Sequence, residues 1–191
     1  MHTSSTPSYS DKKKDRLTLR ELVFLSLIGA MIVAAKEAMS FLPNIEPVTL
    51  LLMVTTIVFG AKAFYPCVIF VLAEGLLYGF GWYFFVYCYV WPVLVLAILL
   101  LRRVVRSYVL WTAIGALYGL LFGPLCCLEA LVVNGWQMAF SYWISGIPFD
   151  IIHFAGNAVM CGILLKPLAT LLFKLTYSDQ GGTDHEHTGT V

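Results

Sequence analysis

The chain has 191 residues, of which 60% are hydrophobic and 12% charged, with a formal net charge of +1 and a mean hydropathy of +0.84. A soluble domain is roughly 45–50% apolar and about 25% charged, and a domain this small leaves much of its surface in water. The composition therefore excludes a soluble globular enzyme, a disordered chain and a secreted disulfide scaffold. Apolar runs far longer than the ~9–11 residues of a barrel strand leave a helical membrane protein that crosses the bilayer several times.

Residues 1–16 are rich in Ser, Thr and Lys and read as a disordered cytoplasmic tail. Six apolar segments follow within 17–175, and 176–191 read as a polar cytoplasmic tail. The first span is expected over 17–39. The second opens at Pro47, whose missing N–H suits a first helical position, and runs to Gly60. That is only about 21 Å at 1.5 Å per residue, so it is tilted or continues past Gly60. The third covers 63–77 and is broken by Tyr78-Gly79-Phe80-Gly81; the fourth covers 82–101 and stops at Arg102-Arg103. The fifth covers 108–133. Residues 134–147 are expected to lie at the interface, and the sixth span opens at Pro148 and reaches about residue 175, with Pro167 as a kink or late boundary. The five cysteines, Cys67, Cys88, Cys126, Cys127 and Cys161, show no CxxC spacing and read as small buried hydrophobes.

The cations sit at the ends of these runs. With the N-terminus in the cytoplasm, Lys12, Lys13, Lys14, Arg16, Arg20, Lys62, Arg102, Arg103, Arg106, Lys166 and Lys174 all fall inside, and only Lys36 lies outside. Eleven cations to one puts both termini in the cytoplasm and calls for an even number of spans. The acids behave oppositely: Glu37, Glu46, Glu74, Glu129 and Asp150 lie within spans or near their outer ends, where ionisable groups are costly and usually serve a ligand or a pathway. Aromatics crowd the same side, from Tyr78 to Trp91 and from Trp136 to Trp143. An interfacial belt accounts for part of this; the asymmetry points to a binding cavity that opens outward.

Two helical faces stand out. In the first span Ser26, Ala30, Ala34 and Ala38 recur every four residues, a stripe that lets another helix approach closely; that helix could belong to this bundle or to a partner. In the sixth, Asp150, His153 and Asn157 share one face. They read either as a cap with an interior histidine or as a polar cavity wall. They could hold a metal only with a fourth ligand that nothing supplies. There is no P-loop, GxSxG, HExxH or Rossmann fingerprint, so no catalytic residue, metal or resident cofactor is assigned and the chain is read as no enzyme. It is also too short for paired inverted repeats, so a transported solute would draw its energy from a partner.

Several segments together resemble one family: Leu42-Pro43-Asn44-Ile45-Glu46-Pro47-Val48-Thr49-Leu50, Leu72-Ala73-Glu74-Gly75-Leu76-Leu77-Tyr78-Gly79-Phe80, Tyr89-Val90-Trp91, and the run from Tyr142-Trp143 through Pro148-Phe149-Asp150 to His153. The chain resembles the substrate-binding S-components of energy-coupling factor (ECF) vitamin transporters, and within them the cobalamin-type branch. The resemblance spans about 17–175. It implies an all-α, six-transmembrane-helix bundle in the cell membrane, with both termini cytoplasmic and an outward pocket closed by the loops after spans one, three and five. The family's short alanine motif falls on Ala30 and Ala34, extended here by Ser26 and Ala38. It implies docking on a transmembrane coupling subunit that carries two cytoplasmic ATPases, and a bundle that topples to deliver its vitamin. No nucleic acid is implied.

On that reading Asn44 and Glu46 are lid residues. Glu74, Tyr78, Trp82, Tyr83 and Tyr87 form one wall of the pocket, and Trp143, Asp150, His153 and Asn157 the other. A corrinoid is the favoured ligand. The rival readings are a smaller vitamin of the thiamine, pyridoxine or riboflavin type, held by outer acids and aromatics, and an intramembrane metal-dependent enzyme using Asp150 and His153.

Overall fold

The computed structural model describes residues 17–42, 45 and 47–177. The two tails lie almost wholly outside the described residues, as do Asn44 and Glu46. Among the described residues every regular element is helical: α1 (Leu19–Ala38), α2 (Val48–Phe59), a 3-10 turn (Gly60–Ala63), α3 (Phe64–Tyr78), α4 (Trp82–Leu101), α5 (Tyr108–Asn134) and α6 (Trp136–Tyr177).

The start of α1 is fixed by a capping box. The Thr18 hydroxyl accepts the Glu21 N–H at 3.2 Å, and the Glu21 carboxylate accepts the Thr18 N–H at 3.0 Å, so two helix-end donors are satisfied reciprocally. From there α1 runs alongside α3 in the same direction. Lys62, just before α3, donates to Glu21 at 2.6 Å, and Lys36, near the end of α1, donates to Glu74 at 2.5 Å. These two pairs mark opposite ends of the bundle. Gly60, at φ +64, ψ −134, ends α2 and turns the chain at the Lys62 end; only glycine adopts such a conformation cheaply. The Arg102 guanidinium, at the close of α4, lies against Gly60.

α2 is the central helix of the fold. Nine of its twelve residues are buried, and it packs on both α4 and α6. At about 18 Å long it falls short of a bilayer's hydrocarbon core, and an apolar run of that length suits a buried helix. Its Thr55 and Thr56 hydroxyls donate to the carbonyls of Leu51 and Leu52 at 2.7 and 2.6 Å, so neither is left wanting in an apolar interior. No non-helical residue separates α2, the 3-10 turn and α3, although the chain turns at Gly60, so the described chain forms five unbroken helical stretches. Four of these are long and apolar enough to cross a membrane: 48–78, 82–101, 108–134 and 136–176. The stretch that does not qualify is α1, which carries Arg20, Glu21, Lys36 and Glu37 at its two ends. The expectation of six crossings is thus met only for an all-helical chain with four such stretches.

The largest departure concerns residues 134–147. They form no connecting segment: Asn134 closes α5, Gly135 makes the break, and residues 136–147 are the first turns of α6, which is 42 residues long and holds both Pro148 and Pro167 in its interior. The break falls at Gly135, φ +81, and α5 and α6 form a hairpin about it. Apolar helices tolerate internal proline where neighbouring helices and side chains cover the freed backbone groups.

Candidate functional site

At the end of the bundle marked by Lys36, the last turn of α1, the following loop, the end of α3 and the start of α4 enclose a cavity of about 440 Å³. Its aromatic wall is built by the tight turn between α3 and α4. Tyr78 closes α3, and Trp82, Tyr83 and Tyr87 stand on the first turns of α4, all lining the cavity with Phe84. Lys36 and Glu74 supply its charge. Lys36 Nζ donates to Glu74 Oε2 at 2.5 Å and to Glu37 Oε1 at 3.2 Å, and lies 4.4 Å from the centre of the Tyr78 ring. The Tyr78 hydroxyl donates to Glu37 Oε2 at 2.6 Å. The end of α1 is thereby tied to the end of α3 through one ammonium and one phenol.

Beneath this wall a run of rings leads into the core. Tyr83 packs on Tyr87 at 6.3 Å, Tyr87 on Trp91 at 5.6 Å, Trp91 on Phe122 at 5.6 Å, and Phe122 on the His153 ring at 4.9 Å. Edge-on and tilted contacts of this kind add to the area they bury. They link α4, α5 and α6 below the cavity, while Tyr118 and Tyr89 bind α5 to α4 through the Val90 and Leu125 carbonyls, at 2.5 and 2.8 Å.

Of the expected site residues, Glu74, Tyr78, Trp82, Tyr83 and Tyr87 come together in this cavity. Asp150, His153 and Asn157 do share one face of α6, but that face is sealed against α5. Gly115, Gly119 and Gly123 recur every four residues along α5, and the polar side chains lie over them. Asp150 Oδ1 accepts the Gly123 N–H at 3.0 Å and Asn157 Nδ2 donates to the Gly115 carbonyl at 3.1 Å. All three side chains are buried and none lines the cavity. Trp143 sits higher on the α5–α6 hairpin, partly exposed and packed 6.2 Å from Phe140, also away from the cavity. Asn44 and Glu46 lie outside the described residues. In α1, Ala30, Ala34 and Ala38 are exposed and Ser26 is half-buried; the close approach to α3 is made instead by Gly29, whose Cβ would come within 2.8 Å of Ile69.

Two features escaped the sequence reading. In the charge pattern Lys36 stands out only as the odd outer cation, although a lone cation among outer acids is itself a sign of pairing. The Gly115, Gly119, Gly123 period in α5 announces a close helix contact and names the surface that the Asp150 face covers.

That seam sets a prediction. A buried N–H stripped of its acceptor costs about 1–3 kcal/mol. Asp150→Ala is therefore expected to lower stability by about that much, and Asp150→Asn, which keeps an oxygen for Gly123, by clearly less. Thermal unfolding in detergent measures both; equal losses would show that the hydrogen bond does not matter.

No protein-family model, curated protein or solved structure matches the chain.

Proposed function

We propose that the chain is the solute-capturing membrane subunit of an ATP-driven vitamin importer of the ECF type. It would bind a vitamin in the outer cavity without covalent chemistry and deliver it through a coupling subunit with two ATPases. The observation that carries the reading is the cavity itself: about 440 Å³, walled by rings and holding one tied charge cluster. Small-molecule sites are typically such concave, mostly aromatic pockets with few polar groups. An exposed stripe of small residues on α1 is what a docking helix would need.

The volume bears on the ligand. Cavities of about 300–1,000 Å³ enclose drug-sized molecules, and a corrinoid is much larger than these. A smaller vitamin of the thiamine, pyridoxine or riboflavin type fits the cavity as it stands, whereas a corrinoid needs the α3–α4 turn or the loop after α1 to open. We therefore rank the smaller vitamin first and the corrinoid second. The deciding experiment is to purify the chain without partners and identify bound solute by absorbance and mass spectrometry. A small vitamin supports this ranking, a corrinoid reverses it, and purified protein that binds neither overturns the capture role.

The same reading implies an orientation. Arg20, Lys62 and Arg102 gather at one end of the bundle, and Lys36, the outer exception, is neutralised by Glu74. Reporter fusions after Arg106 and Val191 are expected to signal from the cytoplasm, and one at Gly135 from outside. A cytoplasmic signal at Gly135 would break the proposed topology of six crossings.

A further inference from the structure

We propose that the outer cavity selects a solute carrying a single positive charge beside a flat ring, and that Glu74 is the residue that receives the charge. The inference rests on the capture role proposed above and narrows its ligand.

Charge is used unequally at the cavity. Lys36 is the one ammonium at the cavity among the described residues, and it serves two carboxylates, Glu37 and Glu74. With all three ionised the cluster carries a net charge of −1. Both Glu37 oxygens have donors, one from Lys36 and one from Tyr78. Glu74 Oε2 is taken by Lys36, but Glu74 Oε1 has no hydrogen-bond partner among the described residues, although the residue is only 5% exposed. A buried carboxylate oxygen without a donor is costly. A cation or a charged N–H group entering the cavity supplies the missing partner and brings the cluster to neutrality. An anion would deepen the imbalance.

The remainder of the wall suits the same ligand. Tyr78, Trp82, Tyr83 and Tyr87 line the cavity, and aromatic ring faces attract cations while stacking on flat apolar groups. Lys36 already uses the Tyr78 ring in this way at 4.4 Å, so a cationic ligand meets its rings on α4.

The test uses the full chain in detergent, with calorimetry and the fluorescence of Trp82 and the other tryptophans as readouts. The probes are thiamine and N-methylnicotinamide as ring cations, riboflavin as a neutral ring, biotin as an anion and cyanocobalamin as a large corrinoid. At least one ring cation is expected to bind, with biotin and cyanocobalamin silent. Glu74→Gln, which preserves shape and an acceptor for Lys36, is expected to weaken cation binding by about tenfold or more. The wild-type panel decides the charge preference even if that variant fails to fold. Binding of riboflavin, biotin or cyanocobalamin without either cation overturns the inference and leaves the capture role standing. Silence from all five probes overturns both. Unchanged cation affinity in a folded Glu74→Gln protein removes Glu74 from the role.

Discussion

Replacing Gly119 by leucine is expected to abolish recovery of folded, monodisperse protein. Gly115, Gly119 and Gly123 line one face of α5, and α6 lies directly on them. A Cβ at 119 would meet the carbonyl oxygen of His153 at 2.7 Å and its carbon at 2.8 Å. Those atoms are helix backbone and cannot swing aside as a side chain can. Alanine alone should cost about 1–3 kcal/mol, the usual penalty of overpacking. Leucine must push the helices apart, and parting them strips the hydrogen bonds of Asp150 to Gly123 and Asn157 to Gly115. It also removes His153 from Phe122, the last link in the run of rings. Against a net stability of about 5–15 kcal/mol that combination is decisive. Gly115→Ala provides the graded control. Its Cβ would meet Cys161 Sγ and Met53 Sδ, each at 2.9 Å; the methionine can rearrange, so a smaller loss is expected. Size-exclusion chromatography and thermal unfolding report the order. A Gly119→Leu protein that elutes and unfolds like the parent would refute the hairpin packing.

The helix boundaries were largely legible because each is written in local chemistry. Residues 82–101 were expected as one helix and are one, stopped by the arginines that follow. Thr18 with Glu21 sets the start of α1 two residues inside the expected span, and Gly135 ends α5 one residue past it. What failed was inference from proline. Pro148 suits a first helical position, yet it lies inside α6, because the break is made by the positive φ of Gly135 and not by proline. The status of α2 was also hidden: an apolar run of that length fits a short span or a core helix, and only its neighbours decide.

The site was legible where it depends on one turn. Glu74 and Tyr78 are four apart on α3, and Tyr83 and Tyr87 four apart on α4; the turn between them brings the two faces together. It was illegible where it depends on distant pairing. Lys36 meets Glu74 across 38 positions, and nothing local in either segment names the other. For Asp150, His153 and Asn157 the sequence shows that they share a face but not what that face meets. A period of four in glycine on α5 carries that information, and reading it jointly with α6 would have assigned the polar residues to the seam.

If the chain has the proposed importer role, a tryptophan at Ala30 together with one at Ala34 is expected to leave folding and solute binding intact while abolishing co-purification with a coupling subunit. Gly29 points at α3, where even a methyl would crowd Ile69 and the Pro66 backbone. One residue advances the face by about 100°, so Ala30 leaves that contact, and Ala34 repeats the position one turn on; both are exposed. The small stripe is therefore not consumed by the protein's own core. Where helices meet in lipid, close approach of small residues drives association, and two indoles would hold a partner helix several ångströms away. The loss of complex should be near complete, with uptake lost in parallel and unfolding temperature little changed. Gly29→Trp is the opposing control, expected to damage the fold itself. If the Ala30→Trp, Ala34→Trp protein loses solute binding as well, the stripe serves the bundle. If it still assembles and transports, docking occurs on another face and the importer reading loses its account of how energy reaches the capture subunit.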